Sequence, residues 1–156
     1  TPNQTTARAD RDRPQGSRPV ASTWYPKFKE AILTGASNSN PSSGNVKAVL
    51  LDGADESYNA ADQYLSDITG AAIVATSGNL ANKSFTNGLF DADDITLTGV
   101  SGDQSEVIVI YIDTGTPSTS RLMLWIDSAS SGLPVTPNSG NINVTWDNGA
   151  NKIAQL

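Results

Sequence analysis

The sequence predicts a mainly β protein: a single β-sandwich or jelly-roll-like domain over residues 22–156, with one or two short helices and an extended N-terminal arm over residues 1–21. Three observations carry that expectation. Residues 105–127, SEVIVIYIDTGTPSTSRLMLWID, hold two almost unbroken apolar runs either side of a turn without an aliphatic side chain. Most other apolar residues fall in short alternating runs bounded by Gly, Pro, Asn and Asp, the pattern of strands and turns. Finally, 156 residues with 37% hydrophobic content suffice for one core and leave little for a second.

Residues 1–21, TPNQTTARADRDRPQGSRPVA, have three prolines, a glycine and no aliphatic periodicity, so this stretch cannot bury enough surface to fold alone. From Ser22 the character changes. Ser22 or Thr23 is placed to cap a short helix with Pro26 in its first turn, Trp24, Tyr25, Phe28, Ile32 and Leu33 on one side, and Gly35 as the stop. After the polar loop ASNSNPSSGN, VKAVLLD (46–52) reads as a strand between two glycines. ADQYLSDI (61–68) spaces Tyr64, Leu65 and Ile68 as a second short helix would.

Beyond Gly70, AAIVATS and KSFTNGLFDADDITLTGVS alternate in the manner of half-buried strands. In the 105–127 hairpin, Val107, Val109 and Tyr111 should face one side and Ile108, Ile110 and Ile112 the other, with Leu122, Leu124 and Ile126 opposing Met123 and Trp125. A strand apolar on both faces is covered on both faces, by its own chain or by another subunit. Coverage of Trp125 within the fold is the favoured expectation, with the loop 114–120 and the arm left to contact other subunits. The end of the chain, NINVTWDNGANKIAQL, reads as a second hairpin turning at Asp147-Asn148-Gly149.

Composition excludes more chemistry than it suggests. There is no cysteine and no histidine, so thiolate chemistry, disulfides and the commonest neutral-pH base and metal ligand are all absent. Serine is plentiful, but without histidine a triad needs lysine, and the lysines sit in unrelated contexts. Asp91, Asp93 and Asp94 crowd one turn; D-x-D-D lacks the glycine and the distant glutamate of a helix–loop–helix calcium site, and a polar turn is the favoured reading. Paired acids suited to glycoside hydrolysis arise by chance in a chain with sixteen carboxylates. No catalytic, cofactor-binding or metal residue is therefore expected, and the enzyme class is the weakest.

Charge is segregated. Residues 1–29 carry six basic side chains against two acidic ones, +4, whereas the remaining four basic and fourteen acidic residues give the body −10. An acidic body repels nucleic acid. No apolar run approaches the length of a membrane span, so a soluble protein without membrane or nucleic-acid partners is expected. Arg8, Arg11, Arg13 and Arg18 are the candidate partner-binding residues, suited to an acidic protein surface.

The stretches STWYPKFKEAILTG, VKAVLLD, FDADDITLTGVSGDQSE, VIVIYIDTGT, GLPVTPNSG and VTWDNGANKI, taken together, resemble a family of small tailed-bacteriophage proteins encoded among virion structural genes. The resemblance covers about Ser22 to Leu156, and YPKFKEAIL, IYIDTG and TWDNGANKI are specific only as a set. It implies a virion component. Its size and β content suit a capsid decoration (cement) protein on the head surface, with the major capsid protein and neighbouring copies of itself as partners. A neck-, tail- or fibre-associated module binding a partner protein or a host glycan is the alternative. Many family members begin near the equivalent of Ser22, so the arm departs from the pattern and no role is carried over to it.

Overall fold

The computed structural model describes residues 22–156, and the elements follow in chain order. Strand β1 (Ser22–Trp24) leads directly into helix α1 (Pro26–Thr34); β2 (Asn45–Leu51) and β3 (Ile73–Thr76) follow. Next come the short strands β4 (Leu89–Phe90) and β5 (Ile95–Leu97), the long hairpin β6 (Val107–Asp113) and β7 (Arg121–Ile126), then β8 (Ile142–Val144) and β9 (Ala154–Gln155). The mainly β class is as the sequence predicts. One five-stranded antiparallel sheet, ordered β1-β7-β6-β2-β3, forms the main layer, and two two-stranded ribbons, β4-β9 and β5-β8, accompany it.

The hairpin runs through the middle of this sheet because its residues are apolar at both parities. Every residue of β7, and all of β6 except Asp113, is buried. Strict alternation fails at one point: Ile110 pairs with Leu124 but Tyr111 pairs with Leu122, leaving Met123 as an extra residue in the ladder. The bulge puts Leu122 opposite Tyr111 and so on the Trp125 side, not with Leu124 and Ile126 as simple alternation predicts.

Each face is covered by a different part of the chain. On one side, Tyr58 stands edge-on to Trp125 at 5.9 Å between ring centroids and lies 5.4 Å from Tyr25, which places the loop 52–64 across the sheet. Trp125 is 4% exposed, so its cover comes from within the fold. On the other side, Leu50, Ile108 and Ile126 face Ile142, Val144, Trp146 and Ile153 of the C-terminal segment across a cavity. Phe90, Leu97, Trp146 and Ile153 belong to the same core cluster as the central strands.

Three expected elements differ, each because a long-range bond displaces a local preference. Ser22 and Thr23 cap nothing: they are strand residues paired with Ile126 and Trp125. Tyr25 is the N-cap of α1, without a side-chain cap bond, and its own N–H goes to the Met123 carbonyl. Pro26 does open the helix and Gly35 does close it, at φ +64°. The helix buries Phe28 and Ala31, not Ile32 and Leu33; Leu33 is 86% exposed.

The second helix reduces to one 3₁₀ turn, Leu65–Asp67. There the Gln63 carbonyl and the Leu65 N–H are taken by the β7 edge, through Leu122 and Ser120, so they are lost to helix bonding. The expected C-terminal hairpin is absent as well: β8 pairs with β5 and β9 pairs with β4. Trp146 decides this, since its backbone N–H donates to Asp94 Oδ1 (2.9 Å) and its indole N–H donates to the Asp93 carbonyl (3.0 Å), clipping it to the turn before β5.

Candidate functional site

The exposed surface is best read by asking which polar segments the sheet brings together. At the end of the sheet where β6 turns into β7, the loop 114–120 is exposed except for Ser120. Its turn residues are tied to each other: Thr114 Oγ1 and Thr119 Oγ1 lie 2.6 Å apart, Ser120 Oγ donates to the Thr116 carbonyl (2.9 Å), and Asp113 Oδ1 accepts from the Gly115 N–H (3.0 Å). Gly115, at φ +81°, provides the left-handed turn. The hydroxyl-rich sequence DTGTPSTS thus folds into a self-bonded knuckle.

Neighbouring loops brace it. The Ser66 N–H donates to the Pro117 carbonyl and the Asn38 amide donates to the Thr119 carbonyl. Arg121, only 3% exposed, donates to the Ser37 carbonyl (3.1 Å) and lies over the Tyr64 ring at 5.0 Å. Sequence reading missed Arg121 because a lone arginine opening an apolar strand looks like a solvated end; its local signal is only that the run RLMLWI begins on it. Buried, it ties two loops to the hairpin.

The segment 52–67 carries Asp52, Asp55, Glu56, Asp62 and Asp67 and no basic residue. The ion pairs among the described residues are Lys27–Glu30, Lys47–Asp113 and Lys152–Asp91, and none involves these five acids. Four of them shape the loop instead. Asp52 accepts from Ala54 N–H, Glu56 from Thr69 N–H (2.6 Å), Asp62 from the Asn59 amide, and Asp67 from the N–H groups of Gln63 and Tyr64. Burial pushes the Asp62 carboxyl above its usual range, and the charges of Asp67 and Glu56 push the same way. Tyr25 beneath it is raised strongly, by burial first and by Asp62 second.

The three aspartates singled out in the sequence do not converge on one point. Asp91 pairs with Lys152 (3.3 Å), Asp93 accepts from the Asn82 amide (2.7 Å), and Asp94 holds the Trp146 N–H. Among the described residues no group of three acids is arranged to hold a metal ion. The polar-turn reading fits what these side chains do. Arg8, Arg11, Arg13 and Arg18 lie outside the described residues.

What is described is the point from which the arm departs. Ser22 starts β1 on the outer edge of β7; its hydroxyl donates to the Ile153 carbonyl (3.2 Å) and the Trp24 indole donates to the Gln155 carbonyl (2.7 Å). Gln63–Leu65 bonds the remainder of that edge, so the outer side of β7 is occupied along its length. Among the described residues no helix is long and apolar enough to cross a membrane. No protein-family model matches the chain, and no curated protein is significantly similar to it.

Proposed function

We propose that this protein is a structural component of a tailed-bacteriophage particle: a decoration protein that binds the outside of the head and holds shell subunits together, with the major capsid protein and further copies of itself as partners. The observation that carries this reading is the way the arm joins the body. Residue 22 is already part of the central sheet, laced to β7 and to the C-terminal segment, so a pull that reaches Ser22 acts directly on the core. Fully extended, twenty-one residues reach at most about 70 Å, enough to cross onto a neighbouring subunit. Arg8, Arg11, Arg13 and Arg18 supply its charge.

The resemblance of residues 22–156 to virion proteins supports the same reading, as does a body whose sheet is covered on both faces by its own chain. Each exposed arginine–carboxylate contact contributes little, about 0.2–1 kcal/mol, but several per copy and many copies per shell act together. The exposed Leu33 near the end of α1 is free to add an apolar contact to a partner.

The test is retention on the particle. Particles carrying the full chain and particles carrying residues 22–156 are heated and washed, and the bound fraction is measured. The strap reading expects the truncated form to be lost first while its isolated melting temperature is unchanged; equal retention would overturn it. A second reading, a neck-, tail- or fibre-associated attachment module, is favoured by the knuckle at 114–120, which has the exposed, braced form of a recognition loop. Alanine replacement of Thr116 and Thr119 beside the arm truncation discriminates: loss of attachment in that variant, with full retention of residues 22–156, supports that module.

A further inference from the structure

We propose that the cavity between the central sheet and the C-terminal segment is a binding site for a neutral saccharide, an inference that stands apart from the shell-binding reading and holds for either station in the particle. The cavity measures about 640 Å³, within the range of roughly 300–1,000 Å³ typical of small-molecule sites. Its floor is apolar, made by Leu50, Ile108 and Ile126 of three adjacent strands, and β8 closes one wall with Ile142 and Val144. Trp146 stands in the lining with its indole N–H committed to the Asp93 carbonyl, which fixes the ring.

The rim is rich in amides. Asn148 and Asn151 border the cavity, both exposed, and among the described residues neither side-chain amide has a hydrogen-bond partner. An amide offers a donor and an acceptor side by side, which matches two adjacent hydroxyl groups of a sugar ring, each of them donor and acceptor. Meanwhile the C–H face of the ring suits the apolar wall. The rim's charges leave no net call for an ion: Lys152 is engaged by Asp91 at 3.3 Å, and Asp147 accepts the Gly149 N–H at 2.8 Å. An anion would meet a cation already paired, and a cation would meet one carboxylate already bonded. An aliphatic side chain of a partner would fill the floor but leave both amides unused.

The experiment titrates the ¹⁵N-labelled full chain with maltotriose, chitotriose and mannotriose, following backbone shifts and the Trp146 indole signal. At least one trisaccharide is expected to saturate at millimolar concentration or below, with the shifts confined to residues 126–153 and the strands of the floor. The double variant Asn148→Ala/Asn151→Ala, changed only at exposed side chains, should weaken that binding tenfold or more while its spectrum stays folded. Absence of saturable binding by all three sugars, shifts lying elsewhere, or undiminished binding by the double variant would each overturn the proposal. So would tighter binding of a charged trisaccharide such as trigalacturonate. Failure of saccharide binding leaves the particle-retention test of residues 1–21 untouched.

Discussion

The β6–β7 hairpin and the C-terminal segment 142–156 look alike in sequence and are built differently. Both present apolar residues on either side of a turn, in unbroken runs in the first and in alternation in the second. In the first, the two strands pair with each other over Ile108–Ile112, and the turn is stabilised from inside by Thr114, Thr116 and Ser120. In the second, the strands part: β8 joins β5, β9 joins β4, and Asp147 folds back on Gly149 without bringing them together. The difference comes from what each run can bury. A run apolar on both faces needs neighbours on both edges and cover above and below, so it goes to the centre of a sheet. A half-apolar run is satisfied by any partner, and the two hydrogen bonds of Trp146 select that partner.

The contrast is broken most severely at the tryptophans. Trp125→Ala should cost about 3–5 kcal/mol by denaturant unfolding and should loosen the whole sheet in amide exchange, because Tyr58 packs edge-on against that ring and itself packs against Tyr25. Trp146→Ala should cost a similar amount, but its loss of exchange protection should start in β8 and β9 and reach the central strands last. Uniform loss of protection in both variants would show that the C-terminal segment is not the separate, clipped-on unit described here.

A finer cut uses phenylalanine. The Trp146 indole N–H has a partner, whereas that of Trp125 is buried with no group among the described residues to receive it. Trp146→Phe should therefore be the more costly of the two, by about 1 kcal/mol, and an equal loss would argue against the Trp146–Asp93 bond as a clip.

Two pH effects are smaller. Hydrogen bonding from Lys47 holds the Asp113 carboxyl below its usual range at the root of the hairpin turn. The pair therefore stabilises at pH values above about 4, the unfolded value, and its contribution is lost as pH falls through the lower folded value. In Asp113→Asn that acid-side loss should shrink by up to about 1 kcal/mol. Asp62, in the loop that covers Trp125, is raised, so its sign is opposite: the charged form destabilises at neutral pH, and the penalty fades as pH falls through the raised folded value. Asp62→Asn should raise the melting temperature at pH 7 and make little difference near pH 4. A lowered melting temperature at pH 7 would show that the carboxylate is needed as a hydrogen-bond acceptor.

What could be read in advance follows the range of the forces involved. The hairpin, β2, and the Pro26 first turn and Gly35 stop of α1 were legible because those residues and the apolar runs act within a few residues, whereas the cap expected at Ser22 or Thr23 was lost to the pairing of β1 with β7. The bulge at Met123 was not, since it depends on matching two strands that also carry β1 and the turn at Gln63–Leu65. Likewise, nothing local in ADQYLSDI reveals that β7 takes its carbonyl and N–H groups, and nothing local in VTWDN reveals a partner fifty residues upstream. The acidic character of 52–67 was plain as composition, but its role as self-bonded cover for Trp125 emerges only from the fold. The saccharide cavity was equally hidden: its floor and rim come from distant segments, and asparagines in a loop read as turn chemistry.

The central claim is a place in a particle, and electron microscopy of the intact virion tests it most directly. The account predicts density for residues 22–156 on the outside of the head, in a copy number that follows the shell's symmetry, with density for residues 1–21 continuing from β1 onto a neighbouring subunit. Density confined to the neck, tail or fibres, or a particle from which the protein is missing, would contradict it.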